Sequence, residues 1–372
     1  VTTLGIVLLA LVAYTYVGYP LLIATIARLF ARPLRDRPGY EPRVSVCMTV
    51  HDGARDLPRK LESLLALDYP REALEILICS DGSTDDSVEI VRRFAECDPR
   101  ISLFESSTRR GKPASLNRLL REATGEVLLL TDVRQPLSKN AVRALVAPLS
   151  DPTVGCVSGN LVLSGFSGAG VYWRYERFIR DSEGKLGSMV GVSGAVYALR
   201  RADLTELPAD VILDDMFVPL RIELTGKKVV FTSEAQAYDD AFDDEREFGR
   251  KVRTLAGNYQ LVAKMPRLLL PSSRVWLPLV SHKLLRLVCP WALVALLLVS
   301  VVIAVSPPPD VGGSELLVWR ALAVGQLALY ALAALGAAAG RLGSVARTFV
   351  VLNAAAVAGL WRFARGTQAV TW

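Results

Sequence analysis

The sequence predicts an α/β protein in which a mostly parallel sheet, with helices on both faces, is carried between apolar helices at the two ends of the chain. Three observations lead there. Short β-branched runs alternate with amphipathic segments across residues 44–130, the pattern of successive strand-helix-strand units. Residues 1–27, 287–309 and 321–340 carry no charged side chain, and about 20 such residues in a helix cross a bilayer. The 372 residues are 51% hydrophobic and 22% charged with a mean hydropathy of +0.33, too apolar for an ordinary soluble enzyme and too charged for a pure membrane bundle.

The first element, residues 1–30, is a membrane span. It lacks the basic start and small-residue cleavage site of a secretory leader, and Arg28, Arg32, Arg35 and Arg37 follow it. Arginines on that side place it in the cytoplasm and the N-terminus outside, which makes the protein a multi-pass protein of the cell membrane. Residues 38–257 then read as one cytoplasmic domain. Strands are expected at Val44–Val50, 75–79, 101–104 and 127–130, with helices over 57–67, 87–95 and 114–123 between them. Parallel strands joined by helices put the following loops on one rim of the sheet, where such sheets bind ligands.

Charges thin out after residue 257. Over 258–286, Lys264, Arg267, Arg274, Lys283 and Arg286 lie among Leu, Trp and Pro, which suits interfacial helices with the basic residues and Trp276 facing headgroups. Residues 287–309 form a second span, ended by Pro307, Pro308, Pro309, Asp310 and Gly312. Residues 316–340 return as a third. In the last segment, 345–372, the apolar run 348–361 is short, which favours a re-entrant or interfacial helix over a crossing and keeps Arg341, Arg347, Arg362 and Arg365 inside. Gly366, Gln368 and Trp372 form a cytosolic tail.

Composition also excludes. Cys47, Cys79, Cys97, Cys156 and Cys289 are odd in number with no CxxC pair, so no disulfide framework or zinc site is expected. His51 and His282 are the only histidines. The net charge of +6 is modest, and no nucleic-acid partner is expected.

Chemistry is concentrated after the strands. Ser80, Asp81, Gly82, Ser83, Thr84 and Asp85 follow the second strand, and Thr131, Asp132, Val133 and Arg134 the fourth. Either aspartate alone is equally a helix cap or turn residue. Two of them on one rim suit a nucleotide base and its diphosphate side by side.

These turns, with VSVCMTV, GKPASLN, LLLTD, VSGAVYALRR, LDDMF and RKVRT in order, resemble the membrane-integrated family 2 glycosyltransferases, the group of hyaluronan, chitin and cellulose synthases and related bacterial polysaccharide enzymes. The resemblance covers nearly the whole chain. It implies a GT-A, Rossmann-like domain that transfers a sugar from a UDP-sugar, with inversion, to a glycan or lipid-linked acceptor. Asp81 matches the aspartate that contacts uracil and ribose, while Thr49, Val50, His51, Asp52 and Gly53 match the loop that wraps the nucleotide. Lys112, at a helix start, suits an anionic donor. Asp132 matches the first carboxylate of a DxD motif that holds Mg2+ or Mn2+, but Arg134 stands at the second acidic position. Two readings follow: a cation held by Asp132 and substrate oxygens, or a diphosphate neutralised by Arg134 itself. Asp214 and Asp215 match the acidic pair whose second member is the general base. Arg253 matches the arginine of a Gln-x-x-Arg-Trp motif, but Arg250 and Thr254 replace its glutamine and tryptophan, which puts processive synthesis in question.

Tyr172, Trp173 and Tyr175, in an expected helix, are either acceptor-stacking or core residues, and Ser193, Gly194 and Ala195 belong to an acceptor-side turn. With about three crossings per chain, an export pore needs a homo-oligomer. A noncatalytic nucleotide-sugar-binding subunit is the competing reading. A nucleotidyltransferase is disfavoured, because the loop after the first strand carries a single glycine, Gly53.

Overall fold

The computed structural model describes residues 1–31, 33, 34, 37, 39–164, 168–240 and 244–369; Arg32, Arg35 and Trp372 lie outside them. The chain enters through α1 (Thr2–Phe30), which widens into a π-type turn at Tyr14–Gly18. There follow β1 (Val44–Val50), α2 (Leu57–Leu65), β2 (Leu74–Asp81), α3 (Ser87–Cys97), β3 (Ile101–Ser106), α4 (Lys112–Glu122) and β4 (Val127–Asp132). The second half adds α5 (Ala141–Leu149), β5 (Val154–Ser164), α6 (Gly168–Leu186), β6 (Tyr197–Arg200), α7 (Asp214–Leu224), β7 (Lys228–Asp240) and α8 (Asp244–Lys264). Helices α9 (Trp276–Val305), α10 (Gly313–Leu335) and α11 (Gly340–Ala364) complete the described chain.

The strands form a seven-stranded sheet in the order β3-β2-β1-β4-β6-β5-β7. All neighbouring pairs are parallel except those made by β6, which runs antiparallel to β4 and β5. Strand β1 shows why the sheet is covered on both sides. Val44, Val46, Met48 and Val50 enter one core with Leu57, Leu61 and Leu64 of α2 and Leu145 of α5. Cys47 points the other way, into a second core with Leu116 and Leu119 of α4 and Leu220 of α7. A strand buried on both faces has no solvent side to alternate with, hence apolar residues on both, with only Ser45 and Thr49 polar and both buried.

Topology assembles the rim. Register pairs Thr49 with Asp132 and Val50 with Ser80, so the loops after β1, β2 and β4 emerge together. Because β6 is antiparallel, its first residue, Tyr197, pairs with Leu130 near the end of β4. The turn before it, 193–195, therefore arrives beside Asp132.

Three helices, Thr2–Phe30, Trp276–Val305 and Gly313–Ala364, are long and apolar enough to cross a membrane. The third bends at Gly336–Ala339, where Gly336 and Gly340 both adopt positive φ, and α10 and α11 pack against each other. Helix α1 packs on α9, and α11 lies along α8 and α6. At Gly5 a Cβ would stand 2.4 Å from Trp319 Cη2, so only glycine lets α1 approach α10 this closely.

Two segments differ from the sequence expectation. Helix α9 starts at Trp276, so Lys283 and Arg286 lie within a continuous helix instead of a separate interfacial one. Neither faces outward: Arg286 Nη1 donates to Glu176 Oε1, and Lys283 Nζ lies 3.8 Å from Glu176 Oε2. A carboxylate distant in sequence neutralises them, which local composition cannot disclose. The last helix, α11, also begins earlier than the apolar run 348–361, because the 340–347 segment continues the same helix.

Candidate active site

Helix α7 begins with the acidic pair. Asp214 is buried and Asp215 is half-buried, facing a pocket that Asp132, Gly194, Arg250 and Trp173 also line. Carboxylates in the first turn suit the positive end of the helix dipole. Lys112, in the first turn of α4, ties the pair to the rim: its Nζ lies 3.0 Å from Asp132 Oδ1 and 3.1 Å from Asp214 Oδ2. Burial alone would depress this amine, but Asp132, Asp214 and Asp215 outweigh it and hold Lys112 well above its ordinary value. Asp215 is pushed up to about 6, by burial first and by the charge of Asp214 second, with Lys112 acting against both. Gly194 keeps the space between the carboxylates open. A Cβ there would lie 3.4 Å from Asp215 Oδ2 and 3.5 Å from Asp132 Oδ2, so any larger side chain would cover both.

The turn carrying Asp132 is supported from below by Lys60 of α2, which is fully buried. Its Nζ donates to Thr131 Oγ1 (2.6 Å) and to the carbonyl of Gln135 (2.5 Å), and Thr131 Oγ1 donates to the carbonyl of Ala195 (2.6 Å). Burial lowers the amine to about 7. Arg134 does not face the pocket occupied by the carboxylates. Its Nη2 donates to Asp239 Oδ2 at 2.6 Å, and Gln135 Nε2 donates to the same oxygen, while the side chain stays 36% exposed. A carboxylate at the end of β7 captured the guanidinium.

The expected nucleotide loop forms a hydrogen-bonded edge with the turn after β2. Asp52 adopts φ +49, a left-handed conformation that aspartate tolerates better than most residues. Its Oδ1 accepts from the Thr84 N–H at 2.7 Å, which holds its carboxyl below the usual range, and the Gly53 N–H donates to Ser87 Oγ. His51 Nδ1 donates to the carbonyl of Asp81 at 2.9 Å. Thr49 and Val50 are buried within the sheet end. Asp81 is fully buried, and its two oxygens accept the N–H groups of Arg110 and Gly111, each at 2.8 Å. It thus holds the loop before α4 and does not line the pocket with Asp132 and Asp215.

Helix α8 divides the basic run by face. Arg250 and Lys251 line the pocket, whereas Arg253 Nη2 donates to the carbonyl of Ile212, two residues before Asp214. Gln260 and Lys264, on the same face of α8, complete the grip: Gln260 Oε1 accepts the Ile212 N–H, Gln260 Nε2 donates to the Asp210 carbonyl, and Lys264 Nζ pairs with Asp210 Oδ2 at 2.6 Å. The 253, 260, 264 spacing was the available sign of one helix face.

The acceptor-side aromatics lie where α6 meets the pocket. Trp173 and Tyr172 line it, with Lys251 Nζ 5.7 Å and 5.3 Å from their ring centres, and Arg180 over Trp173 at 5.2 Å. Tyr175 points away, donating to the carbonyl of Tyr16 in α1. Sequence reading missed the buried polar cluster beneath. His282 Nδ1 lies 2.8 Å from Glu183 Oε1 and its Nε2 3.2 Å from Glu176 Oε2, while Tyr19 donates to Glu183. Burial opposes ionisation of Glu176, but Arg286, His282 and Lys283 together hold its carboxyl well below the ordinary range.

A mostly parallel sheet whose rim presents opposed aspartates to a pocket is a GT-A-like glycosyltransferase architecture. Residues 45–204 match the Glycosyl transferase family 2 model and residues 135–339 the Glycosyl transferase family group 2 model. The chain belongs to this glycosyltransferase family. Among solved structures it is similar to the mannosyltransferase PcManGT from Pyrobaculum calidifontis in complex with GDP-Man and Mn2+, at 27% identity and a TM-score of 0.77 over 97% of this chain and 99% of that one. Among relatives it is 24% identical to glycosyltransferase AglE of Haloferax volcanii, over 44% of this chain and 54% of that one. It is 23% identical to the poly-beta-1,6-N-acetyl-D-glucosamine synthase of Staphylococcus epidermidis, over 52% of this chain and 48% of that one. The chain spans between 32% and 57% of the length of such curated relatives.

Proposed function

We propose that the protein is an inverting, membrane-bound glycosyltransferase that takes a nucleoside-diphosphate sugar from the cytoplasm and passes the sugar to a glycan or lipid-linked acceptor. One observation carries the reading: Asp132 and Asp215 face each other across Gly194 in a single pocket, and Lys112 ties Asp132 to Asp214, the neighbour of Asp215.

In this reading the acceptor hydroxyl attacks the anomeric carbon from the side opposite the diphosphate. Asp215 takes the hydroxyl proton, the new carbon–oxygen bond forms as the bond to the diphosphate breaks, and the nucleoside diphosphate leaves with the electron pair. A carboxyl near 6 is mostly ionised at neutral pH yet basic enough to accept that proton. Arg250 and Lys251 supply cationic surface beside the leaving group. The edge formed by His51, Asp52 and Gly53 would seat the nucleotide, with Asp81 holding the 110–111 loop against it. A UDP-sugar is the donor expected from the sequence, and a similar structure holds GDP-Man, so both bases belong in the screen.

The residues fit a divalent cation. Asp132 is a hard oxygen ligand, its side chain is 42% exposed to the pocket, and its Oδ2 faces the same space as Asp215. Asp132 would hold Mg2+ or Mn2+ with donor oxygens completing the shell, where the ion supplies charge to offset the departing diphosphate. The arginines after α1 support a cytoplasmic catalytic domain with the N-terminus outside.

The test is release of nucleoside diphosphate by the purified full chain across UDP- and GDP-sugars, with and without EDTA. Turnover with one donor, lost on chelation and in Asp215→Asn, is the expected result. Donor binding without turnover by the unsubstituted chain would favour the noncatalytic subunit.

A further inference from the structure

A groove of about 420 Å³ lies where the end of α7 meets the turn that leads from α8 to α9. Arg221 and Leu224 of α7 line it with Lys264, Met265 and Arg267, and no carboxylate does among the described residues. It shares no lining residue with the pocket that holds Asp215.

The charge here is one-sided. Lys264 is paired with Asp210, but Arg221 and Arg267 are exposed and have no ion-pair partner among the described residues. Exposed Arg274 adds a further cation near the end of α7, where its charge acts on Glu223. Apolar side chains stand beside these cations. Leu268 is buried and fastens the turn to the domain, whereas Leu269 and Leu270 are 40% and 53% exposed and Leu224 is 41% exposed. Helix α9, long and apolar enough to cross a membrane, begins just beyond, at Trp276. A free phosphate would answer the cations and leave the leucines in water. A leaflet with anionic headgroups answers both, since guanidinium groups bind phosphate oxygens while leucines enter the acyl boundary.

The groove also touches the machinery that places the acid pair. Lys264 Nζ pairs with Asp210 Oδ2 at 2.6 Å, and Gln260, one turn earlier on α8, holds the Asp210 carbonyl and the Ile212 amide. Like charges around one groove repel. An anion seated between Arg221 and Arg267 screens them from Lys264, which keeps its amine on Asp210 and the 210–212 loop in place.

We propose that this groove binds the head of an anionic phospholipid, and that the bound lipid steadies the loop that places Asp215. The effect on Asp215 rests on the glycosyl-transfer reading above, whereas the lipid site does not.

The experiment takes the full chain in nanodiscs of equal phosphatidylglycerol and phosphatidylcholine and reads, by native mass spectrometry, the lipids it retains on release. Retention of phosphatidylglycerol over phosphatidylcholine by about tenfold or more is expected, and the Arg221→Gln, Arg267→Gln double variant should lose most of that preference. A second double variant, Arg59→Gln with Arg93→Gln, removes exposed charges from α2 and α3 and should keep it. Equal retention of the two lipids by the unsubstituted chain, or an equal loss in both double variants, overturns the site. Release of nucleoside diphosphate is measured in nanodiscs of phosphatidylcholine with and without phosphatidylglycerol. The anionic lipid should raise kcat severalfold at unchanged donor KM, and the Arg221→Gln, Arg267→Gln protein should keep its phosphatidylcholine rate in both. Selective retention with a kcat indifferent to phosphatidylglycerol overturns the coupling to Asp215. Selective retention with no turnover in either bilayer overturns the transfer reading and leaves the lipid site standing.

Discussion

Arg253 donates through Nη2 to the carbonyl of Ile212 at 3.1 Å, and so grips the backbone two residues before the Asp214–Asp215 pair. Gln260 holds the amide of the same residue from one face of the same helix. Together they fix where α7 starts, and hence where its first-turn carboxylates point.

Arg253→Ala should therefore lower kcat, on the order of a hundredfold if Asp215 shifts by about 1 Å, while the donor KM stays near the unsubstituted value. Gln260→Ala acts on the same loop, so the double variant should lose less than the product of the two single losses. Steady-state kinetics of the four proteins checks this. A large rise in donor KM with kcat preserved would instead place Arg253 on the substrate.

Lys112 lies within salt-bridge distance of Asp132 and Asp214 and lowers Asp215 through its charge. In Lys112→Met the carboxylates lose their counter-charge, and Asp215 should titrate above its present value of about 6. A general base works ionised, so the acid limb of the kcat/KM profile should move to higher pH. Removing the amine leaves the buried Asp214 carboxylate without its counter-charge, which urea unfolding at pH 7 should read as a lower midpoint. An acid limb that does not move in Lys112→Met would remove Asp215 from that limb.

The parallel half of the domain was legible because β1, β2 and β4 are buried on both faces, and the partly exposed edge strand β3 is short and, like them, set off by turn residues; all four lie where their apolar runs do. Strands β5, β6 and β7 were not assigned. The thirteen residues of β7 mix Ser, Glu, Gln and Asp with Val and Ala, and their place comes from pairing with β5. The site was legible as a set of carboxylates at strand and helix ends. What the sequence hid was direction: Arg134 turns to Asp239, Arg253 to Ile212, and Asp81 to the amides of Arg110 and Gly111. Each choice depends on a partner brought near by topology, as does the burial of Lys283 and Arg286 beside Glu176.

Glu223 in α7 is buried, and desolvation raises its carboxyl to about 8 against the opposing hydrogen bond from the Val229 N–H. Its Oε2 is buried with no hydrogen-bond partner. The native state therefore binds a proton that the unfolded chain releases near 4.5, so this group's contribution is intact below that pH and is lost as pH rises through about 8. Glu223→Gln keeps the acceptor and removes the titration. Its stability relative to the unsubstituted protein should grow with pH across that window, by about 1.4 kcal/mol per unit for a full proton. Parallel unfolding curves at pH 5, 6.5 and 8 check it; a constant difference would mean that Glu223 is ionised in the fold.

Lys60 is the counterpart of opposite sign, and it bears on catalysis. Its folded value of about 7 lies below the ordinary 10.5, so between those limits the unfolded chain binds the proton that the native amine lacks. Stability rises with pH through that window and falls as pH drops toward 7. Lys60→Met should abolish this slope, which the difference between the two proteins at pH 7.5 and 9.5 isolates from other titrating groups. The same substitution removes the hydrogen bonds to Thr131 and Gln135 that brace the turn carrying Asp132. Turnover should then fall with the metal concentration for half-activity raised, because Asp132 would no longer be held toward the pocket. Unchanged metal dependence alongside the lost pH slope would separate the stability role of Lys60 from any role in placing Asp132.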